Sequence, residues 1–189
     1  VRFQDDDINI QAGGVDFVKI TEDGSQDLIE INVAEADVDF IVNVQGDEPL
    51  LDPQSILTVV EAFRNGGGRV VNAVCPIESE DEYFSKSVPK VVTDLSNKLL
   101  YMSRGPVPSN KSGEFVTARK QICIYAFTKD QLGFFKSRDG KSPLEEVEDI
   151  EILRFLENGI EVQMVDVSGG SVAVDHPEDV AIVERILAE

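Results

Sequence analysis

From residue 40 onward the apolar positions fall into a strand, a helix and a second strand in close succession. The run Phe40-Ile41-Val42-Asn43-Val44 has strand length and feeds directly into an acidic turn, Gln45-Gly46-Asp47-Glu48-Pro49. Asp52 can cap a helix that has Pro53 at its first position, apolar residues at Ile56, Leu57, Val59, Val60 and Phe63, and Gly66 just past its end. Residues 70–75 then read as the next strand, and the three elements predict a right-handed βαβ crossover with parallel strands. Residues 90–93 and 99–103 flank the turn formers Asp94, Ser96 and Asn97, the pattern of a hairpin. Residues 104–113, rich in Gly, Pro, Ser and Asn, must be loop, and residues 121–127 alternate like a strand. Ser142-Pro143-Leu144-Glu145 is a capping box that predicts a helix ending at Asn158-Gly159. A strand over residues 162–167 follows, and Asp175-His176-Pro177-Glu178 starts a last helix that runs through Leu187. The alternation is that of an α/β protein. With no repeat, low-complexity segment or linker in view, a single domain over residues 1–189 is expected.

Composition narrows the class. A chain of 189 residues, 42% of them apolar, has material for one globular core. No apolar run approaches the roughly 18 to 20 residues that span a bilayer. The opening residues, Val1-Arg2-Phe3-Gln4-Asp5-Asp6-Asp7, do not resemble a signal peptide, so a cytoplasmic protein without a membrane partner is expected. Cys75 and Cys123 lie inside apolar strand patterns without metal-ligand spacing and read as core thiols. The formal net charge of −19 disfavours nucleic acid as a partner. The charge is uneven, however: residues 86–141 hold 11 of the 17 basic side chains. That segment can present a basic face to a small anion or simply a solvated Lys/Arg surface.

Two carboxylates draw attention as chemistry. Asp47 ends the strand at residues 40–44 between Gly46 and Pro49, and Asp175 stands at the chain reversal before Pro177. Two such groups meeting over one sheet edge would suit Mg²⁺, which takes one or two carboxylates and completes its shell with phosphate and water. Taken singly, Asp47 also fits a turn residue, and Asp175 an N-cap with Glu178 as its box partner.

The stretch Ile41-Val42-Asn43-Val44-Gln45-Gly46-Asp47-Glu48-Pro49-Leu50 closely resembles the acidic strand-end motif of the 3-deoxy-manno-octulosonate (Kdo) cytidylyltransferases, or CMP-Kdo synthetases. Three later stretches resemble that family in the same order. They are Leu100-Tyr101-Met102-Ser103-Arg104, Ile124-Tyr125 followed by Ser142-Pro143-Leu144-Glu145, and Val174-Asp175-His176-Pro177-Glu178-Asp179. The resemblance implies a Rossmann-like nucleotidyltransferase fold, three-layered αβα with a mixed, mostly parallel sheet, in a homodimer. It also implies transfer of CMP from CTP to the anomeric hydroxyl of an acidic 3-deoxy sugar, with release of pyrophosphate, for lipopolysaccharide or capsule. On this likeness Asp47 and Asp175 would be catalytic and hold Mg²⁺, Gln45 would lie near the nucleotide, and Arg104, Gln121, Tyr125 and Glu151 would surround the sugar. Read as residues, Tyr125 fits equally a core or interface aromatic, Glu151 a helix-surface carboxylate, and Arg104 a support for loop carbonyls.

The chain also departs from the family pattern. Gln121 and Cys123 stand where many relatives have a histidine and, two residues on, a glycine, and Ile152 replaces a glutamine beside Glu151. These swaps point to the sugar as the variable, for example an amino-substituted relative. His176 stands where relatives often carry threonine and reads as a surface or capping residue. The resemblance calls for an opening strand and a basic, glycine-containing loop around the triphosphate. Nothing before Phe40 supplies them, and Asp27, after Gly24-Ser25-Gln26, falls where an arginine is expected. The expectation is a family member that begins in its middle. The alternatives are a noncatalytic binding or dimerisation module of the same fold and a synthetase for another acidic sugar such as sialic acid.

Overall fold

A computed structural model describes residues 2–4, 7–12, 15–22, 27–31, 39–46, 48–137, 140–169, 172, 174 and 177–188, with side chains from residue 39 onward except those of 177 and 178. The chain divides into two compact units, Val1–Asp39 and Phe40–Glu189. The first is a four-stranded antiparallel sheet in which sequence neighbours pair: β1 (Arg2–Gln4), β2 (Asp7–Ala12), β3 (Val15–Glu22) and β4 (Asp27–Ile31). The sequence pattern before residue 40 had not suggested this sheet.

The second unit holds a six-stranded mixed sheet of β5 (Ile41–Val44), β6 (Val70–Pro76), β7 (Lys90–Thr93), β8 (Leu99–Ser103), β9 (Arg119–Phe127) and β10 (Val162–Asp166). The order is β10-β6-β9-β7-β8, with β5 also on β9. β5 and β6 point the same way, as a βαβ unit requires, but β9 lies between them and runs antiparallel to both. The expected parallel ladder between β5 and β6 is therefore absent, and among the described strands β10 with β6 forms the parallel one. "Mostly parallel" holds for strand direction, since β5, β6, β7 and β10 agree, but not for the hydrogen-bonded ladders.

Alternation along β6 and β9 sorts the core into two faces. Val71, Ala73, Cys75, Ile122, Ile124 and Ala126 pack with Val59 and Phe63 of α1 (Pro53–Asn65). On the other face Val70, Val74, Tyr125 and Phe127 pack with Leu153 and Phe155 of α5 (Leu153–Glu157). Helices thus cover both faces. The start of α1 is as expected: the Asp52 carboxylate accepts the Gln54 N–H at 2.9 Å, and Gly66 closes the far end. Burial of Val59 and Phe63 against the sheet stabilises the docked helix by about 1.5–3 kcal/mol for each side chain.

The hairpin β7–β8 forms as expected, as does α6 (Pro177–Leu187). Two helices were not anticipated: α2 (Glu80–Phe84), capped by Ser79, and α3 (Lys129–Lys136), opened by a Thr128/Gln131 capping box. The helix expected from Ser142 to Asn158 is instead two. α4 (Pro143–Glu148) stops where Asp149 turns left-handed at φ 52°, and the chain turns through Ile150-Glu151 before α5. Arg104 explains the break. Its Nε donates to the Glu148 carbonyl at 2.6 Å and its Nη2 to the Asp149 carbonyl at 2.9 Å, taking acceptors that a continuous helix would need.

Candidate functional site

β5 and β7 lie end to end along one edge of β9. Val44 pairs with Ile124 and Lys90 with Lys120, so neither strand covers residues 121–123. The chain ends on either side close the gap partly: Gln45 donates its N–H to the Cys123 carbonyl, and Gln121 donates its own to the Pro89 carbonyl, both at 3.1 Å. A cavity of about 700 Å³ opens here. The carboxyl end of β5 opens into this gap, and in open α/β sheets ligands bind outside the carboxyl ends of strands.

Gln121, Cys123 and Tyr125, alternate residues of β9, supply its floor. The loop 85–89, Arg104 and the 149–151 turn make one side, and Gln45, Glu48, Val172 and Asp179 contribute the other elements. All five residues expected around substrate within the described segments, Gln45, Arg104, Gln121, Tyr125 and Glu151, therefore share one cavity. Cys123, expected in the core, is half-buried and lines the cavity, because the covering strand stops short of it. Asp47, Asp175 and His176 lie outside the described residues. Their near neighbours Gln45 and Glu48 on one segment, and Val172 and Asp179 on the other, nevertheless line the same cavity.

Among the supports of this site, Lys90 and Glu148 were not read from the sequence, whereas Arg104 as a support for loop carbonyls was. Lys90 is fully buried and donates to the carbonyls of Ser85, Val88 and Arg104 at 2.6–2.7 Å, tying the 85–89 wall to the end of β8. Desolvation, then the nearby Arg104 charge, lower its pKa. Arg104 lines the cavity, but its guanidinium is directed at carbonyls: besides Glu148 and Asp149, its Nη1 donates to Lys86 at 3.0 Å. Glu148 accepts from Tyr101 Oη at 3.1 Å, Ser103 Oγ at 2.8 Å and the Arg104 N–H at 2.8 Å. Burial pushes its pKa up, but the donors together outweigh that, and it stays below the ordinary value.

Asn72, a lone amide in the apolar run of β6, is fully buried and bonds with Gln121, which in turn bonds with the Tyr125 hydroxyl. A polar residue in an otherwise apolar buried strand was the available signal for it. Glu151 sits in the α4–α5 turn, not on a helix, and reaches both the main cavity and an adjoining apolar recess of about 140 Å³ lined by Phe127, Phe135, Ile152 and Phe155. Desolvation, then the Glu145 and Asp149 carboxylates, push its pKa up.

The electrostatics of the walls are lopsided. Glu48, Glu82, Asp149, Glu151 and Asp179 face Arg104 and Lys120, and Lys120 is ion-paired with Glu82. No group of three His, Cys, Asp or Glu able to hold a metal occurs among the described residues. Among the same residues, no helix is long and apolar enough to cross a membrane.

The cytidylyltransferase family model matches residues 10–164. The 3-deoxy-manno-octulosonate cytidylyltransferase of Christiangramia forsetii is 35% identical over 187 residues, 97% of this chain and 75% of that protein. Its namesake from Acidobacterium capsulatum is 37% identical over 154 residues, 81% of this chain and 62% of that protein. The chain thus spans between three fifths and three quarters of the length of these relatives. The solved structure of CMP:2-keto-3-deoxy-manno-octonic acid synthetase complexed with CTP matches with a TM-score of 0.75 at 29% identity, covering 82% of this chain and 64% of that one. These matches agree with the resemblance carried by the Gln45-Gly46-Asp47-Glu48-Pro49 stretch, and the chain belongs to the cytidylyltransferase family, alongside the CMP-Kdo synthetases.

Proposed function

We propose that the cavity at the β5–β7 gap is the site of CMP transfer from CTP to the anomeric hydroxyl of Kdo or a close sugar-acid relative, with release of pyrophosphate. The observation that carries the reading is the convergence of Gln45, Arg104, Gln121, Tyr125 and Glu151 on one cavity in a family whose relatives bear that activity in their names. The CTP complex of the structural neighbour supports the nucleotide as one ligand.

Mg²⁺ is the cofactor this reading calls for, held by Asp47 and Asp175. Both substrates are anions, yet five carboxylates line these walls against Arg104 and Lys120, so a polyanion entering needs added positive charge. The segments that carry Asp47 and Asp175 both reach the cavity, and two carboxylates are a hard oxygen set suited to this ion. When bound, Mg²⁺ would neutralise phosphate charge and polarise the sugar hydroxyl for in-line attack at the α-phosphorus. The protein's share is positioning. Gln45 offers an amide at the strand end, and the Tyr125 ring with Gln121 forms a wall for the sugar. Arg104, braced by carbonyls, fixes the 149–151 turn that carries Glu151. Work in the cytoplasm as a homodimer, supplying lipopolysaccharide or capsule synthesis, completes the proposal.

The test is pyrophosphate release from CTP and Kdo, with and without Mg²⁺, for the chain and for Asp47→Ala and Asp175→Ala. Mg²⁺-dependent release that each substitution lowers by at least about a hundredfold supports the proposal. Release indifferent to both substitutions would remove these two carboxylates from the chemistry.

A further inference from the structure

The polarity of the Gln121 side chain is fixed from the backbone outward. Between Asn72 and Ala73 the β6–β9 register jumps from Tyr125 to Ile122, leaving Cys123 and Ile124 unmatched on β6. The Asn72 amide fills this irregularity: Nδ2 donates to the carbonyls of Ile122 and Ile124, both at 3.0 Å. A carbonyl can only accept, so the Asn72 nitrogen must face the two carbonyls and its Oδ1 must face Gln121. Oδ1 likewise can only accept, so Gln121 must offer its nitrogen. Gln121 Nε2 lies 3.0 Å from Asn72 Oδ1 and 3.0 Å from the Tyr125 hydroxyl oxygen. Both amide hydrogens of Gln121 are thereby used within the wall.

What Gln121 has left for an occupant of the cavity is its carbonyl oxygen. The residue is 8% exposed, and it lines the cavity floor. We propose that Asn72 is a positioning residue that locks Gln121 with its carbonyl oxygen toward the cavity, so that this part of the site selects a hydrogen-bond donor, a hydroxyl of the sugar. The sugar carboxylate is excluded from this subsite, because an acceptor meets an acceptor there. The assignment of the cavity to the sugar acid rests on the function proposed above; the orientation of Gln121 does not. A buried acceptor left unmatched by a deoxy ligand costs its whole desolvation penalty, which is why such sites discriminate sharply.

Two measurements test this, and they fail separately. In the resting protein, solvent exchange of the Gln121 side-chain amide protons is followed by NMR, assigned through Gln121→Met. Both protons are expected to exchange at least about tenfold more slowly than those of the exposed Gln54. Exchange as fast as that of Gln54 would overturn the lock, whether or not any sugar binds. In turnover, Kdo is compared with a panel of its monodeoxy analogues at saturating CTP and Mg²⁺. One analogue is expected to lose at least about tenfold in kcat/KM, and this ratio should fall below about threefold in Gln121→Met and in Asn72→Ala, with the KM for CTP unchanged. A ratio that survives in Gln121→Met would overturn the donor selection even if Asn72→Ala fails to fold. Absence of any Kdo turnover alongside protected amide protons would retire the proposed substrate and leave the lock standing.

Discussion

Three donors from β8 and its end converge on the Glu148 carboxylate, and that makes its charge state a stability switch. Its folded pKa lies below the ordinary 4.5, so its contribution is fully present above pH 4.5 and is lost as pH falls through the folded value. Glu148→Gln is expected to cost about 1–3 kcal/mol at pH 7, with the difference from the parent shrinking below pH 4.5; urea unfolding at several pH values reads this out. The two cysteines make a second contrast at this scale. Burial pushes the Cys75 thiol up to about 11, whereas Cys123 lines the cavity. Iodoacetamide at pH 8 is expected to label Cys123 in the native state and to leave Cys75 intact, as mass spectrometry of the digested protein would show. Saturating CTP and sugar should slow labelling of Cys123. Equal labelling of both thiols would contradict the packing of β6.

At the scale of elements, Arg104 joins the 85–89 wall, the end of β8 and the break between α4 and α5. Arg104→Met should therefore destabilise the protein by about 2–4 kcal/mol, seen as a lower urea midpoint, in addition to any rise in sugar KM. Unchanged stability with a raised KM would instead make it a ligand clamp. The same residue shows what a sequence can carry. α1 was legible because its signals, Asp52, Pro53 and Gly66, are local. The α4–α5 break was not, because its cause stands 44 residues away. The insertion of β9 between β5 and β6 was hidden for a similar reason, since strand order depends on pairings distant in sequence. Five of the residues that the resemblance marked line one cavity, while Asp47 and Asp175 lie outside the described residues; the likeness marked each of them singly, where no local pattern would have. Asn72 and Lys90 escaped notice, since each is a single polar residue in or beside an apolar run and acts through atoms supplied by other elements. α2 and α3 were signalled by Ser79/Glu82 and Thr128/Gln131 but are too short for apolar periodicity to stand out.

For the whole molecule, a net charge of −19 sets a background against which local pairs act. Self-repulsion should make the protein more stable as KCl rises from about 0.01 M to about 0.3 M, over which the screening length falls from about 30 Å to under 10 Å. Thermal unfolding monitored by circular dichroism would show the rise; a fall would mean that pairs such as Arg119–Asp166 and Lys98–Glu161 dominate instead. Mg²⁺ at matched ionic strength should add a further increment that Asp47→Ala removes. The way β5 and β7 stop short of each other on β9 bears on how such a protein can diversify. A pocket floored by a strand between two strand ends can change its lining at a half-buried position such as 123, which neither β5 nor β7 covers, while the pairings that define the sheet stay intact. Inheritance of the scaffold and invention of a new ligand preference are thereby partly uncoupled, and a lineage can vary such a position by point substitution while its sheet stays paired.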